Sequence, residues 1–304
     1  MSYLDPKADV TFKRVFGDPD HKGRCISLLN ALLPLGGGRE VVDIEFQDPG
    51  IQPLINAMRY SLADVRCRDN QGRQFLVEMQ MEWRSDFTTR ILFNASKAFV
   101  SQFDIGTRKL DRMRTVYSLN FINEVYDHTP ANAETYYHHY AIYDRENPGL
   151  KIEGMEFVMV ELPKFKPGAA GGNHERDRWL RFLTEINNRD EIVAEDLATE
   201  EPTRDAVECL RRAAYSKEQL LGYDKYWDGV FIENALIGGA YKDGLADGKA
   251  EGKAEGKAEG LAEGEARGKA EALHETARKM KALGVPVETI MAATGLSQHD
   301  VERN

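Results

Sequence analysis

The stretch that most constrains the fold of this chain is 61–80, SLADVRCRDNQGRQFLVEMQ. Ala63, Val65 and Cys67 alternate with Asp64, Arg66 and Arg68; Phe75, Val77 and Met79 alternate with Leu76, Glu78 and Gln80. Period two is the signature of a β-strand. Between the runs lie Asp69-Asn70-Gln71-Gly72. A three-residue hairpin loop is usually a type I turn closed by a left-handed residue, a role Gly fills at least cost. Asn70, Gln71 and Gly72 therefore predict a loop that sets Asp69 opposite Arg73, Val65 opposite Val77 and Asp64 opposite Glu78. Facing residues on paired strands lie ~4.5–5.5 Å apart at Cβ. Two carboxylates at that distance repel unless a divalent cation stands between them. Gln80, two residues on, points to the same face as Glu78. On the hairpin alone, the pattern also describes a solvated polar face.

The flanking sequence predicts a mixed sheet covered by helices. Asp5-Pro6 opens a helix in which Phe12 and Phe16 share one face and Asp9 and Lys13 another. A second helix spans 23–33, and 41–46 is a short strand. After the hairpin, 87–103 is a helix with Ile91, Leu92, Ala95, Ala98, Phe99 and Phe103 as its apolar stripe; Arg90, Asn94 and Lys97 fall together on a polar face. The run 114–124 is apolar on both faces, as a central strand is. Strands follow at 136–144 and 155–162, then a Pro- and Gly-rich loop at 163–173. The order helix, strand, hairpin, helix, strand indicates an α/β fold.

From residue 174 the pattern is helical, and Trp179 and Trp227 read as core residues. Gly244, Gly248, Gly252, Gly256, Gly260, Gly264 and Gly268 then recur every fourth residue. Each Gly costs ~1 kcal/mol of helix stability relative to Ala. Lys253 and Lys257 are like charges at i,i+4, as are Glu251 and Glu255, so ion pairs do not compensate. This tract reads either as a helix that assembles chains or, with a slight edge, as a spacer or frayed helix. The last segment resembles a small helix-turn-helix with Ser297 as N-cap, in a packing role or reading DNA. The predicted divisions are a core at 1–172, a helical extension at 173–241, the Gly-periodic tract at 242–272 and a C-terminal segment at 273–304.

Composition narrows the class. The 304 residues are 42% hydrophobic and 30% charged, with a net charge of -10. That charge argues against general polyanion binding. It is uneven, however: Arg84, Arg90, Lys97, Arg108, Lys109, Arg112 and Arg114 face only Asp86, Asp104 and Asp111 in the segment after the hairpin. Three scattered cysteines suggest neither a disulfide framework nor a zinc site. Adjacent His138 and His139 point to opposite faces of a strand and cannot easily share a metal. No apolar run spans a bilayer and no signal-peptide core opens the chain, so a cytoplasmic protein without membrane contact is expected.

An aspartate followed by Glu-x-Gln on the next strand resembles the metal site of PD-(D/E)xK nucleases, with Gln in place of the usual lysine. The chain as a whole resembles the bacterial PD-(D/E)xK nuclease family transposases, or Rpn recombination-promoting nucleases. The matching stretches are DVTFKRVFG at 9–17, ADVRCRDNQGRQFLVEMQ at 63–80, RILFNASKAFVSQFDIG at 90–106 and VYSLNF at 116–121. The Trp179 helix, residues 223–228 and the Gly-periodic tail also match. Asn94 departs from the Tyr that relatives tend to carry. The resemblance implies a restriction-endonuclease-like sheet, a helical C-terminal region, and Mg²⁺-dependent hydrolysis of DNA phosphodiesters, with Mn²⁺ as a substitute. It implies Asp64 and Glu78, with the Met79 carbonyl, as metal ligands and Gln80 as orienting the attacking water. A cation must then offset transition-state charge. Lys97 is the first candidate, Arg90 is a phosphate contact, Lys13 is a further DNA contact, and Asp9 stands behind the ligands. The expected assembly is a homo-oligomer through the C-terminal helices. The alternative function is a catalytically weak nuclease fold that binds DNA or partners through its tail.

Overall fold

The computed structural model describes residues 2–48, 50–51, 61–62, 64–81, 86–103, 113–187 and 193–303. Of the residues singled out above, Ala63, Arg84, Asp104, Arg108, Lys109, Asp111 and Arg112 lie outside them. The chain folds into two compact units, Met1–Val230 and Phe231–Asn304.

The first unit is built on a mixed six-stranded sheet. Its strands are β1 (Ile44–Phe46), β4 (Val65–Asp69), β5 (Gln74–Gln80), β6 (Val116–Ile122), β7 (Tyr137–Tyr143) and β8 (Lys151–Glu161). The spatial order is β1-β4-β5-β6-β8-β7. β5, β6 and β8 are parallel; the other pairings are antiparallel. Two short strands, β2 (Gly50–Ile51) and β3 (Ser61–Leu62), pair apart from it.

The hairpin has the expected register, with Val65 opposite Val77 and Arg68 opposite Gln74. Gly72 takes φ +82°, the left-handed value the loop requires. Asp69 clamps the turn. Its carboxylate accepts from the Gln71 and Arg73 amides at 3.0 and 2.9 Å and from Arg73 Nε at 2.6 Å. One expectation is corrected at the other end. The first strand is not continuous from 61: β3 pairs elsewhere, Asp64 sits in a bend, and β4 begins at Val65. Asp64 is therefore not a strand residue facing Glu78.

Burial explains the layers. β6 is buried at all seven positions, as its two-sided apolar sequence predicts. Tyr117, Leu119 and Phe121 join the main core with Phe75 and Val77. Helices α1 (Asp9–Phe16), α2 (Lys22–Leu32), α4 (His174–Glu185), α5 (Glu195–Thr199) and α6 (Thr203–Cys209) supply the rest of that core. Phe16 packs edge-on to Trp179 and Phe182 at centroid distances of 5.4 and 6.2 Å. The α4–α6 region thus shares one hydrophobic core with the sheet. On the opposite face α3 (Phe87–Val100) lays Ala95 and Ala98 on Leu76 and Val116, and Phe87 and Ile91 on Ile122 and Met159.

The Gly-periodic tract is helical. It belongs to α7 (Lys217–Ala282), a single helix of 66 residues. Nucleation is the costly step of helix formation and propagation is cheap. Here Tyr223 and Trp227 pack against the start of the chain, and Ala277 and Met280 pack in a small cluster at the other end. The Gly residues only have to continue a helix anchored at both ends. That end cluster includes Ile290 from α8 (Val287–Thr294) and Val301 from α9 (Gln298–Arg303), and Ser297 Oγ accepts from the Asp300 amide as an N-cap does.

Because Gly72 occupies left-handed backbone, Gly72→Ala is expected to cost about 1–2 kcal/mol. Urea unfolding should show a lower midpoint with an unchanged slope.

Candidate active site

The site forms where β5 runs out past the start of β4. The Met79 amide lies beyond the last paired residues, Val65 and Val77, and donates to Asp64 Oδ2 at 2.7 Å. The bend that removes Asp64 from the strand thus turns its carboxylate onto the next strand's backbone.

Helix α3 supplies the roof. It runs antiparallel to β5, so its polar face descends as the strand rises. Four helical residues advance ~6 Å and two strand residues ~6.6 Å, so residues four apart on one match residues two apart on the other. Arg90 accordingly donates to Gln80 Oε1, and Asn94 Nδ2 donates to Glu78 Oε1 at 2.8 Å. One further step along, Ala98 meets Leu76, and then Ser101 Oγ accepts from Arg66. Glu78 is only 6% exposed and Asn94 2%. At Glu78 the polar face of the hairpin is therefore covered, while Arg68 on the same face is exposed.

The two carboxylates are electrostatically uncomfortable. Burial raises the Asp64 carboxyl, and the Asp9 and Glu78 charges add to this, against the Met79 amide and Lys13; the result is about 7. Burial also raises Glu78, against Asn94 and the Arg90 charge. Lys13 Nζ stands 3.8 Å from Asp64 Oδ1 but 2.5 Å from Asp9 Oδ1, so its charge is shared. Hard oxygens carrying excess negative charge suit a hard divalent cation such as Mg²⁺, which one or two carboxylates plus phosphate typically hold. Among the described residues no group of three or more His, Cys, Asp or Glu forms a ready-made metal cage.

Other expected residues fall as follows. Lys97 is on the same face of α3 as Arg90 and Asn94, but level with Leu76 rather than Glu78. Its ammonium lies over the Phe93 ring at 5.2 Å. Lys13 and Arg90 are the cations whose charge reaches Asp64 and Glu78 respectively. His138 and His139 face different carboxylates, Glu161 and Glu156, each at 2.8 Å. Sequence reasoning did not find Asn120, which neighbours Glu78 in the parallel register and is fully buried. Its signal was that it is one of two polar residues, with Ser118, inside the otherwise apolar run 116–122, but only the strand pairing reveals which residue it adjoins.

The raised Asp64 carboxyl has a consequence for stability. Below pH ~4 the folded and unfolded carboxyls are both protonated and the burial costs nothing. The cost grows from there to about pH 7, where the folded group also ionises, and is full above it. Its upper bound is roughly 4 kcal/mol. The side chain remains 23% exposed, so water screens part of this. Asp64→Asn keeps an acceptor for the Met79 amide. It is expected to exceed the wild type in stability by about 1–3 kcal/mol at pH 8, with no advantage below pH 4, as read by denaturant unfolding across pH.

Comparison with known proteins agrees with this architecture. No curated protein and no solved structure matches the chain. The family model described as PD-(D/E)XK nuclease family transposase matches residues 6–229, which takes in every site residue named here. The chain belongs to the PD-(D/E)XK nuclease family transposases.

Proposed function

We propose that the protein is a Mg²⁺-dependent DNA endonuclease of the recombination-promoting type, with its site at Asp64, Glu78 and Gln80. The observation that carries this reading is the pair of desolvated carboxylates, Asp64 and Glu78, whose ionised forms lack sufficient compensating charge. Stability alone would not retain such a pair, whereas a divalent ion inverts its cost. When bound, that ion supplies Lewis-acid polarisation of the phosphate and lowers the pKa of water.

The chain's own residues divide the remaining work. Asp64 and Glu78 hold the ion, and Asn94 fixes the Glu78 carboxylate in orientation from α3. Gln80 has its Oε1 turned to Arg90, so its amide Nε2 is the end that can donate to the attacking water or a phosphate oxygen. Arg90 places a fixed positive charge one hydrogen bond behind Gln80, the residue that stands in place of the usual lysine. Lys13, on α1, offers a second phosphate contact beside Asp64, with Asp9 holding its ammonium. Lys97 is placed for contact with the DNA backbone farther along α3. The DNA substrate, a cytoplasmic location and assembly of copies through the C-terminal helices belong to the same proposal. The last is favoured by the exposure of Phe231, Ile232 and Leu236 on α7.

The decisive experiment is cleavage of supercoiled plasmid. Wild-type protein is expected to nick it with Mg²⁺ and not with EDTA. Glu78→Ala and Asp64→Ala should each lose more than about 100-fold in rate. Asn94→Leu should lose about 10–100-fold, as supporting residues around a metal typically do. Cleavage unchanged in Asp64→Ala would refute the site. A well-folded wild type that binds DNA without cutting it would instead favour the alternative, a nuclease fold acting as a DNA-binding or assembly protein. An independent readout is thermal unfolding at pH 8: Mg²⁺ should raise the midpoint of the wild type, because it binds the folded state, and leave Glu78→Gln unmoved.

A further inference from the structure

The two edges of the sheet differ sharply. β1 is three residues long and carries Glu45, whose carboxylate binds Arg68 at 3.0 Å. Short length and charge are the usual protections of an edge strand. β7, at the other edge, is seven residues long with the sequence YHHYAIY: no Pro, no Lys, Arg, Asp or Glu. Among the described residues its strand pairing is with β8 alone.

Hydrogen bonding shows which groups of β7 face outward. The Glu161 amide donates to Tyr136 O at 2.8 Å, and the Asp144 amide donates to Leu150 O at 3.0 Å. In an antiparallel ladder, residues that bond to one neighbour alternate with residues that turn to the other side. His138 and Tyr140 therefore bond inward to β8, and Tyr137, His139, Ala141 and Tyr143 present N–H and C=O groups outward. The irregularity in this pairing lies on β8, where residues 153–155 are inserted opposite the Ala141–Ile142 step. β7 itself is uninterrupted.

We infer that β7 is the interface for a second copy of this chain, paired antiparallel about Tyr140 so that the two sheets join into one. In that register the outward residues meet each other: Tyr137 lies opposite Tyr143 of the second copy, and His139 opposite its Ala141. Tyr140 meets its own symmetry mate. A strand paired with itself about a two-fold axis brings like side chains near one another, so any formal charge would be repelled by its copy. This strand carries no Lys, Arg, Asp or Glu, and each of its two histidines is paired with a carboxylate of β8. Its side chains are also already held from within: Tyr137 Oη donates to Leu32 O at 2.8 Å, and His138 and His139 are engaged by Glu161 and Glu156. Pairing therefore orders little that is not ordered beforehand.

The face beside the edge fits the same occupant. Tyr140 and Ile142 point to the α3 side and are 42% and 41% exposed. Next to Tyr140 lies an open apolar hollow of about 230 Å3, lined also by Ile91, Leu92, Phe157 and Met159. A two-fold axis normal to the joined sheet keeps both α3 faces, and with them both Asp64–Glu78 sites, on the same side. The pairing does not depend on nuclease activity.

Cysteine cross-linking of the full-length protein tests this. Facing Cβ atoms at a symmetric, non-hydrogen-bonded position are close enough for a disulfide. Tyr140→Cys is expected to give a covalent dimer under mild oxidation, on non-reducing gels, while Arg145→Cys and the wild type remain single chains. Ala141→Pro removes one outward N–H and no bond to β8. It should abolish cross-linking when combined with Tyr140→Cys while leaving the circular dichroism spectrum unchanged. Absence of the Tyr140→Cys cross-link in protein with a wild-type spectrum would overturn the proposal, including where light scattering shows an oligomer, since that assembly would use another surface.

Discussion

The contact on which the candidate site depends is the hydrogen bond from Asn94 to Glu78. It fixes the height of α3 along β5 and closes water off from the glutamate. The Arg90–Gln80 pairing follows from it, because four helical residues and two strand residues cover nearly the same distance. Once α3 is held at this height, Ala95 and Ala98 reach Leu76 and Val116, and the second face of the sheet gains its cover. One polar pair thus serves both the packing and the geometry of the site.

The described cations nearest the two carboxylates offset their burial only in part. Lys13 divides itself between Asp9 and Asp64, and Arg90 is turned to Gln80. Two buried acids elsewhere in the same unit are more densely partnered: Glu161 receives His138, Lys164 and the Tyr126 amide, and Asp69 receives Arg73 and two amides. The contrast matters more than any single contact. At the candidate site, burial outweighs the neighbouring donors and cations and leaves both Asp64 and Glu78 raised.

The C-terminal unit follows different physics. Along the Gly-periodic part of α7, the described side chains are exposed. What sustains it is continuity with packed residues at its ends, which spares it the cost of nucleation. A reading from propensity alone weighs each Gly and finds the segment marginal; the finding of one helix reflects its anchoring rather than its local sequence.

Much of the fold was legible because local rules fixed it. The turn Asn70-Gln71-Gly72 set the register through one left-handed glycine, the two-sided apolar run set β6 as the central strand, and the 3.6-residue stripe set α3. Asp64, Glu78 and Gln80 could be picked out from period two and a short pattern. The environment of those residues was not legible. The bend at Asp64, the roof of Asn94 over Glu78, the approach of Lys13 to Asp64 and the adjacency of Asn120 all depend on contacts between segments far apart in the chain. The sequence by itself determined which side chains alternate and turn, because backbone sterics and hydrophobic period act within a few residues. Only the tertiary structure decided which acids lose water and which cations reach them, because desolvation and Coulomb energy depend on distances in space.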